Sequence, residues 1–480
     1  MSTTFIRVPA DVPARLQDGF GRIRRELELP DGFPARVTEE AGWVARVPRP
    51  GGEDLTALPF VTVGPPGSPV LDRAFHLERL RGGYRVWCAV SDVGAFVRPD
   101  GVIDTEARAR GVTVRLPGGD VPLHPPVLSQ DAASLLPGAE RPAVVWRIDL
   151  DGDGRTVGAD VLRARVRSRE RLDCEYVQAA VETGTADGTV GLLAEVGALR
   201  LERERARGGA TLPAPERFLV PADGGTPPAP GDGGYRLEYR APLPAEAWIS
   251  QLSLLAGMAA ARMMLEAETG LLRVLPAPRP ADLDRVRRAA LALDVPWPEG
   301  ASYGTAVRGL DPRKHAAFLH QARVLLRGGG YAAFDGAPPK LAEHAAVAAP
   351  YAHVTAPLRR LADRYTAEAC LAIAAGEPVP AEVRRALAGL PELMAVAERR
   401  ARAAGRACSR LVEAYLLRDR IGQEFAATVI DRGAGAGGLV QLADPAVLAR
   451  CDGDLPLGER VTVRLIRAEP ATREVRFALA

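Results

Sequence analysis

The sequence predicts an α+β protein: a mostly antiparallel sheet with packed helices, joined at the C-terminal end to a small OB-like β-barrel. Three observations carry this. Between residues 58 and 150, short apolar runs at 60–63, 84–91, 112–116 and 143–150 alternate with Gly, Pro and Asp, the punctuation of strands and turns. Beyond about residue 167 helical periodicity takes over, at 192–207, 245–268, 280–293 and 355–375. After a helical stretch over 380–419, β-rich runs return at 425–430, 439–442, 460–466 and 474–478, spaced as in a small barrel.

Taken in order, residues 1–50 carry two helical patterns, at 12–29 and 35–47, separated by Pro30-Asp31-Gly32. That segment is too small for a core of its own and is expected to pack on the rest of the chain. Residues 51–420 form the sheet-and-helix unit and 421–480 the barrel. Stretches rich in Gly and Pro, 221–234 above all, read as surface connections. The glycine run at 433–438 lacks the Lys-Ser/Thr of a phosphate-binding loop and reads as a hairpin loop. No repeat of solenoid period is present.

Composition narrows the classes. With 480 residues, 47% hydrophobic and 25% charged, the chain is neither globally disordered nor a membrane bundle. The balance of 62 basic against 60 acidic residues, net +2, argues against a highly basic nucleic-acid coat protein, although a sum over the surface says little about a narrow channel. Lysine occurs only at Lys314 and Lys340, so nearly all the positive charge is guanidinium, which suits planar, bidentate contact with phosphate and carboxylate. Cys88, Cys174, Cys370, Cys408 and Cys451 are scattered, without the spacing of a zinc site or disulfide framework. A reducing, cytoplasmic location is expected, with no membrane partner. The first residues lack a signal-peptide core, and the apolar run 254–265 is interrupted by Arg262.

The most informative segment runs from Pro350 through Tyr351, His353, Thr355, Pro357, Arg359, Arg360 and Asp363 to Tyr365. Thr355 suits a helix N-cap and Pro357 a first turn, so Arg359 and Arg360 are expected near a helix N-terminus that favours an anion. Tyr351 and His353 could stack there on a base or ribose; equally, the arginines could be solvated partners of Asp363.

This segment resembles the helix start of the ribonuclease II / RNB family of 3′→5′ exoribonucleases: Tyr, any residue, His, any residue, Thr-Ser-Pro-Ile-Arg-Arg, then Asp. Tyr351 to Asp363 matches except at Ala356 and Leu358. Further matches are Phe60-Val61-Thr62-Val63, Ala89 through Val97, Pro125 through Ser129 with Ser134-Leu135, Arg203 through Gly208, and Gly330-Tyr331. The likeness covers about residues 58–420, and the final barrel is similar to that family's C-terminal RNA-binding OB domain. Ahead of it, room for the usual pair of cold-shock barrels is absent. The resemblance implies single-stranded RNA or an RNA 3′ end as partner, held by Tyr351, His353, Thr355, Arg359 and Arg360, with Asp72 and Arg359 as catalytic candidates; Arg73, which departs from the family pattern, could instead contact the phosphate that metal neutralises there.

The departure lies in the loop after 60–63. Active members place four aspartates there to hold divalent metal and activate water. The corresponding positions here are Gly64, Val70, Asp72 and Arg73, so only Asp72 survives. The exchange shifts local charge by about +4 relative to the family pattern, and a unit charge at about 4 Å is worth about 4 kcal/mol at an effective dielectric of ~20. No metal cofactor is expected; Mg²⁺ or Mn²⁺ would be needed only if activity is retained. Cys174 stands where many relatives place a tyrosine, and Gln251 and Gly257 where an acidic residue and an asparagine are usual. If 72–78 is a strand, Asp72, His76 and Glu78 share a face and with Arg73 or Arg359 could support metal-free cleavage. His76 and Glu78 could also be plain edge residues, and His124, between Leu123 and Pro125, reads as structural. Three functions stay open: a catalytically impaired RNA-binding relative, an active 3′→5′ exoribonuclease releasing nucleoside monophosphates, and an accessory protein reusing the fold for a tRNA end or other ligand.

Overall fold

The computed structural model describes residues 6–9, 12–48, 51–65, 67–212, 216–221, 234–312, 314–433 and 437–480. Of the loops expected above, 222–233 and 434–436 lie outside the described residues, as do residues 1–5 of the N-terminus.

Helices α1 (Ala14–Glu26) and α2 (Ala35–Val44) precede strands β1 (Phe60–Val63), β2 (Arg73–Leu80) and β3 (Gly83–Ser91), helix α3 (Val102–Arg110), and strands β4 (Glu140–Asp151) and β5 (Thr156–Leu172). Each of β1 to β4 pairs antiparallel with the next strand in sequence. β5 is 17 residues long, about 55 Å at ~3.3 Å per residue, and serves two neighbours. It runs against β4 as far as Arg167 and alongside β1, in parallel, from Ser168 to Leu172. That second pairing closes the sheet into a five-stranded barrel. The β2–β3 turn is Arg81-Gly82, with Gly82 at φ 90°, a backbone angle glycine reaches at no steric cost.

The next elements are α4 (Cys174–Glu182), α5 (Gly188–Arg207), a hairpin of β6 (Glu216–Pro221) and β7 (Tyr235–Arg240), α6 (Pro244–Glu266), β8 (Thr269–Val274), α7 (Pro280–Ala292), α8 (Tyr303–Val307), α9 (Ala316–Ala322), β9 (Gly330–Asp335), α10 (Leu361–Ala374) and α11 (Ala381–Leu417). Phe75, Leu77, Val86, Val144, Trp146 and Ile148 of the barrel share the main core with Leu252 and Leu255 of α6 and Leu361 and Tyr365 of α10. α6 is long and apolar enough to cross a membrane, yet 61% of its apolar window is buried in this core.

The C-terminal strands β10 (Glu424–Arg432), β11 (Gly438–Leu442), β12 (Leu448–Asp452), β13 (Arg460–Glu469) and β14 (Glu474–Leu479) close into a second barrel in the order β10-β11-β12-β14-β13. α11 ties the two bodies together. Its first half puts Val383, Leu387, Leu390 and Met394 into the main core, and its second half puts Cys408, Leu411, Val412 and Tyr415 into a core shared with the barrel and with Leu16, Phe20 and Ile23 of α1. A Cβ at Gly19 would collide with Leu411, so glycine sets the closeness of α1 to α11. α1 thus packs on α11 and the far barrel, with Ile6–Arg7 joining the β6–β7 hairpin, while Val37, Ala41 and Val44 of α2 pack in a separate cluster with Phe96, Ile103 and Leu128.

Three expectations need correction. Residues 112–116 form isolated bridges, Val112 to Arg360 and Val114 to Val121, rather than a strand. β5 was missed because Arg and Glu at many of its positions mask the period-two pattern of a half-exposed strand. The terminal barrel has a fifth strand, β12, whose five residues include Arg450 and Asp452.

Candidate functional site

The site lies where the β1–β2 loop meets the segment leading into α10. Ser134 and Leu135 hold the loop: Leu71 N–H donates to Ser134 Oγ at 2.9 Å, Ser134 Oγ donates to the Pro69 carbonyl at 2.8 Å, and Leu135 N–H to the Leu71 carbonyl at 2.9 Å. From β5, Arg171 donates to the carbonyls of Ser68, at 3.0 Å, and Pro65. At the four positions of the family's acid cluster, Gly64 offers only backbone, and Val70 packs against an apolar cluster that includes Phe96, Leu128 and Leu358.

Asp72 is the one carboxylate, with its side chain 2% exposed. Both oxygens are engaged: Oδ1 accepts the Leu358 N–H at 2.9 Å, and Oδ2 accepts from Arg359 Nε at 2.6 Å. Arg73 donates from Nη1 to Ser253 Oγ on α6. Burial, and then the nearby Arg359 charge, push the Arg73 pKa below its ordinary value.

One carboxylate with both oxygens occupied, beside a guanidinium, a valine and a glycine, does not fit a divalent cation that seeks a shell of oxygen ligands. Among the described residues no group of three or more His, Cys, Asp and Glu side chains is placed to hold a metal ion.

The segment 351–360 is extended and turned rather than helical, so Thr355 does not cap α10. The helix starts at Leu361 with Arg360 as its N-cap, in extended conformation at φ −145°, ψ 118°. The reason is local: Leu361 N–H donates to the Gly111 carbonyl at 3.0 Å and Thr113 N–H to the Arg359 carbonyl at 2.9 Å. Those bonds hold the two arginines in a bridge with 111–113. The anion at this helix start is the protein's own Asp363, which accepts the Ala356 N–H at 2.7 Å and Arg360 Nη2 at 2.8 Å.

The aromatic residues converge. Tyr331 Oη and His353 Nδ1 are 2.7 Å apart, and His353 meets the rings of Tyr331 and Tyr351 edge-on, each at 5.5 Å. Arg273 lies 4.7 Å over the Tyr331 ring. Burial, then the Arg360 and Arg273 charges, hold His353 well below the usual imidazole range and keep it neutral. Tyr351 presses against Gly257, where any Cβ would overlap its ring and the Ala352 carbonyl. Cys174, whose thiol burial pushes up to about 11, stands at the start of α4. Gln251 is turned away, donating to the buried Glu204.

The metal-free arrangement does not assemble. His76 Nδ1 lies 3.3 Å from Thr189 Oγ1 and its Nε2 3.3 Å from Glu78, which also accepts from Trp87 Nε1 at 2.8 Å. Four residues of strand, about 13 Å, separate His76 from Asp72, whose carboxylate is already committed to Arg359. His124 is buried, and burial, together with the Arg364 charge, pushes it down to about 4, as suits a structural residue. The sequence reading missed Ser253, one of two serines in the first half of α6, and Arg115, in the segment read as a strand. Arg115 is held below its ordinary value by desolvation and by Arg359.

The RNB domain model matches residues 52–373 and that of the RNase II-type exonuclease C-terminal S1 domain matches residues 423–480. The chain belongs to the RNB family. Ribonuclease R of Escherichia coli strain K12 is 30% identical over 360 residues, 71% of this chain and 43% of that protein. Exoribonuclease 2 of Vibrio cholerae is 34% identical over 170 residues, 34% of this chain and 24% of that one. This RNB chain therefore spans less than half the length of these curated relatives. The fold matches apo RNase R of Mycoplasma genitalium with a TM-score of 0.83 at 18% identity, covering 97% of this chain and 78% of that one. A structure of the same RNase R holds ribose-methylated single-stranded RNA. Yeast Ssd1, described as a pseudonuclease, matches with a TM-score of 0.70 at 16% identity, over 94% of this chain and 58% of its own.

Proposed function

We propose that this RNB chain holds single-stranded RNA by its 3′ end and that metal-dependent hydrolysis is largely lost. The observation that carries the reading is Asp72: the sole carboxylate left in the loop uses one oxygen on the Leu358 backbone and the other on Arg359. Neither is free for a cation without breaking an interaction that orders the segment beside it. Binding would come from Arg73 and Arg359 to phosphates, with Arg360 held beside them by Asp363, and from Tyr351 and His353 to bases, with stacking worth about 1–3 kcal/mol per base. Thr355 is buried in the same segment, ahead of the helix start at Leu361. The solved RNase R–RNA complex supports RNA as the ligand class, and Ssd1 supports a non-cleaving RNB fold.

A second reading, active 3′→5′ exoribonucleolysis to nucleoside monophosphates, draws on the names of the relatives and on the Arg359-Arg360 segment. The test incubates end-labelled single-stranded RNA with Mg²⁺ and with Mn²⁺, alongside binding across a salt series. Salt-sensitive binding without a ladder is expected; a ladder abolished by Asp72→Asn would overturn the reading in favour of the enzyme. In a second arm Gly64→Asp, Val70→Asp and Arg73→Asp are combined. A Cβ at Gly64 meets only Leu71 Cδ2, at 2.9 Å, the end of a side chain that can turn away. Cleavage by the restored protein alone is the expected outcome.

A further inference from the structure

The loop has done more than lose acid, because it has gained a guanidinium in the space that acid would occupy. Arg73 forms no ion pair among the described residues. Its side-chain hydrogen bond goes to Ser253 Oγ, which spends its own proton on the Ile249 carbonyl at 3.1 Å. Ser253 therefore presents a lone pair and fixes the fork. Arg359 gives Nε to Asp72 and, among the described residues, makes no other side-chain bond, so its terminal nitrogens are uncommitted. Arg115 has no carboxylate at ion-pair distance among the described residues. Arg360 and Asp363 neutralise each other. Arg73 and Arg359 therefore share one carboxylate, Asp72, while Arg115 stands within electrostatic reach of Arg359 and is offset by Asp120. Desolvation and mutual repulsion depress the pKa values of Arg73 and Arg115, as expected of buried cations lacking an anion.

We infer that Arg73 and Arg359 form a divalent-cation-independent seat for a singly charged phosphodiester of an RNA strand, with Ser253 as the residue that positions Arg73. The inference rests on the RNA-holding reading above and names the group that site grips. One unmatched positive charge suits a monoanionic diester, and two forks with uncommitted N–H groups suit its non-bridging oxygens. A cation placed there would meet Arg73 and Arg359 instead of ligands. The seat thus inverts the charge logic of a metal-dependent site: the protein supplies the positive charge that metal supplies elsewhere.

The test measures binding of a 5′-labelled single-stranded RNA by fluorescence anisotropy, in EDTA and in Mg²⁺, across a salt series, for the wild type, Arg73→Met, Arg73→Lys and Ser253→Ala. Wild-type affinity is expected to be the same in EDTA as in Mg²⁺. Arg73→Met should weaken it on the order of 10- to 100-fold, the scale of one charge-assisted bond pair. It should also lower the slope of log affinity against log salt by about 0.7, one phosphate contact on a single strand. Arg73→Lys should recover part of the loss, and Ser253→Ala should cost several-fold with the salt slope kept. A second measurement, the melting temperature with and without inorganic phosphate, reads the seat without RNA: phosphate should raise it in the wild type and not in Arg73→Met. RNA binding abolished by EDTA, or unchanged in both Arg73→Met and Ser253→Ala, overturns the seat while leaving RNA binding in place. A phosphate shift that depends on Arg73 in a protein that binds no RNA supports the seat and sinks the RNA reading. Absence of both sinks both.

Discussion

Replacing Asp72 by Asn separates a structural carboxylate from a catalytic one. The asparagine carbonyl can still accept the Leu358 N–H, which now comes to Oδ1 at 2.9 Å, but its amide would face Arg359 Nε, donor against donor, at a site now bridged at 2.6 Å. Loss of a charged hydrogen bond costs about 1.5–3 kcal/mol, and breaking a fully buried ion pair about 3–5 kcal/mol. Here the Asp72 side chain is 2% exposed and that of Arg359 31%, so the freed guanidinium can turn toward water and the lower figure governs. A cost of about 2–3 kcal/mol is expected. The assay is urea denaturation tracked by tryptophan fluorescence, since Trp87 and Trp146 lie on the neighbouring strands β3 and β4. With two cores in one chain the first transition is the one to read. Arg359→Met and the double variant complete a cycle, in which the double should cost little more than either single change. Additive costs would refute the pairing. Unchanged stability together with loss of a Mg²⁺-dependent cleavage would show that Asp72 serves a metal instead.

Three further outcomes are expected. Gly257→Ala should destabilise by about 1–3 kcal/mol, the range for overpacking, because the new Cβ overlaps the Tyr351 ring and the Ala352 carbonyl. It should also weaken RNA binding through displaced Tyr351, and a variant as stable as wild type by the same urea assay would contradict the packing. His124 titrates near 6.5 when unfolded and is pushed down to about 4 in the fold, so its contribution to stability is present above about pH 6.5 and lost as pH falls toward about 4. His124→Gln should flatten the fall in stability over that window by about 1.4 kcal/mol per pH unit, one proton's worth, as read by urea midpoints from about pH 7 to about pH 4.5. The Arg217–Glu413 pair joins β6 to α11 with both side chains at most 5% exposed. Glu413→Gln should cost about 3–5 kcal/mol, while Arg217→Met with Glu413→Leu should recover most of it; an equal loss in the pair would refute the packing argument.

Much of the fold was legible because its elements announce themselves locally. The run Phe60-Val61-Thr62-Val63 is four buried residues of a central strand, and α6, α7 and α11 begin within a residue or two of where periodicity and Pro244, Pro280 or Pro380 place them. What was not legible depends on partners distant in sequence. Pro357 suits a turn as well as a first helical turn, and only the bridge to Gly111 and Thr113 decides that α10 waits until Leu361. The barrel closure needs Ser168 to Leu172 beside β1, a pairing over about a hundred residues that no local pattern encodes. At the site, the arginines and Asp363 as a partner for them could be read from the motif, but not that Asp363 takes Arg360 alone while Arg73 finds only a serine.

The pattern of which acid is kept follows from the same contacts. Val70 packs against the apolar cluster to which Leu128 and Leu358 belong, and Gly64 is fastened only through its backbone, by an N–H to the Leu172 carbonyl at 3.0 Å. Among the described residues no buried donor is bonded to a side chain at either position, so a residue without a carboxylate leaves no orphaned group there, and at position 70 it adds apolar burial. Asp72 differs because its removal strands a buried backbone N–H at Leu358 and the Nε of Arg359, a penalty felt by folding whether or not any metal binds. A single surviving aspartate is therefore what a site released from metal binding would retain: the one carboxylate that the β1–β2 loop needs to anchor the arginine segment.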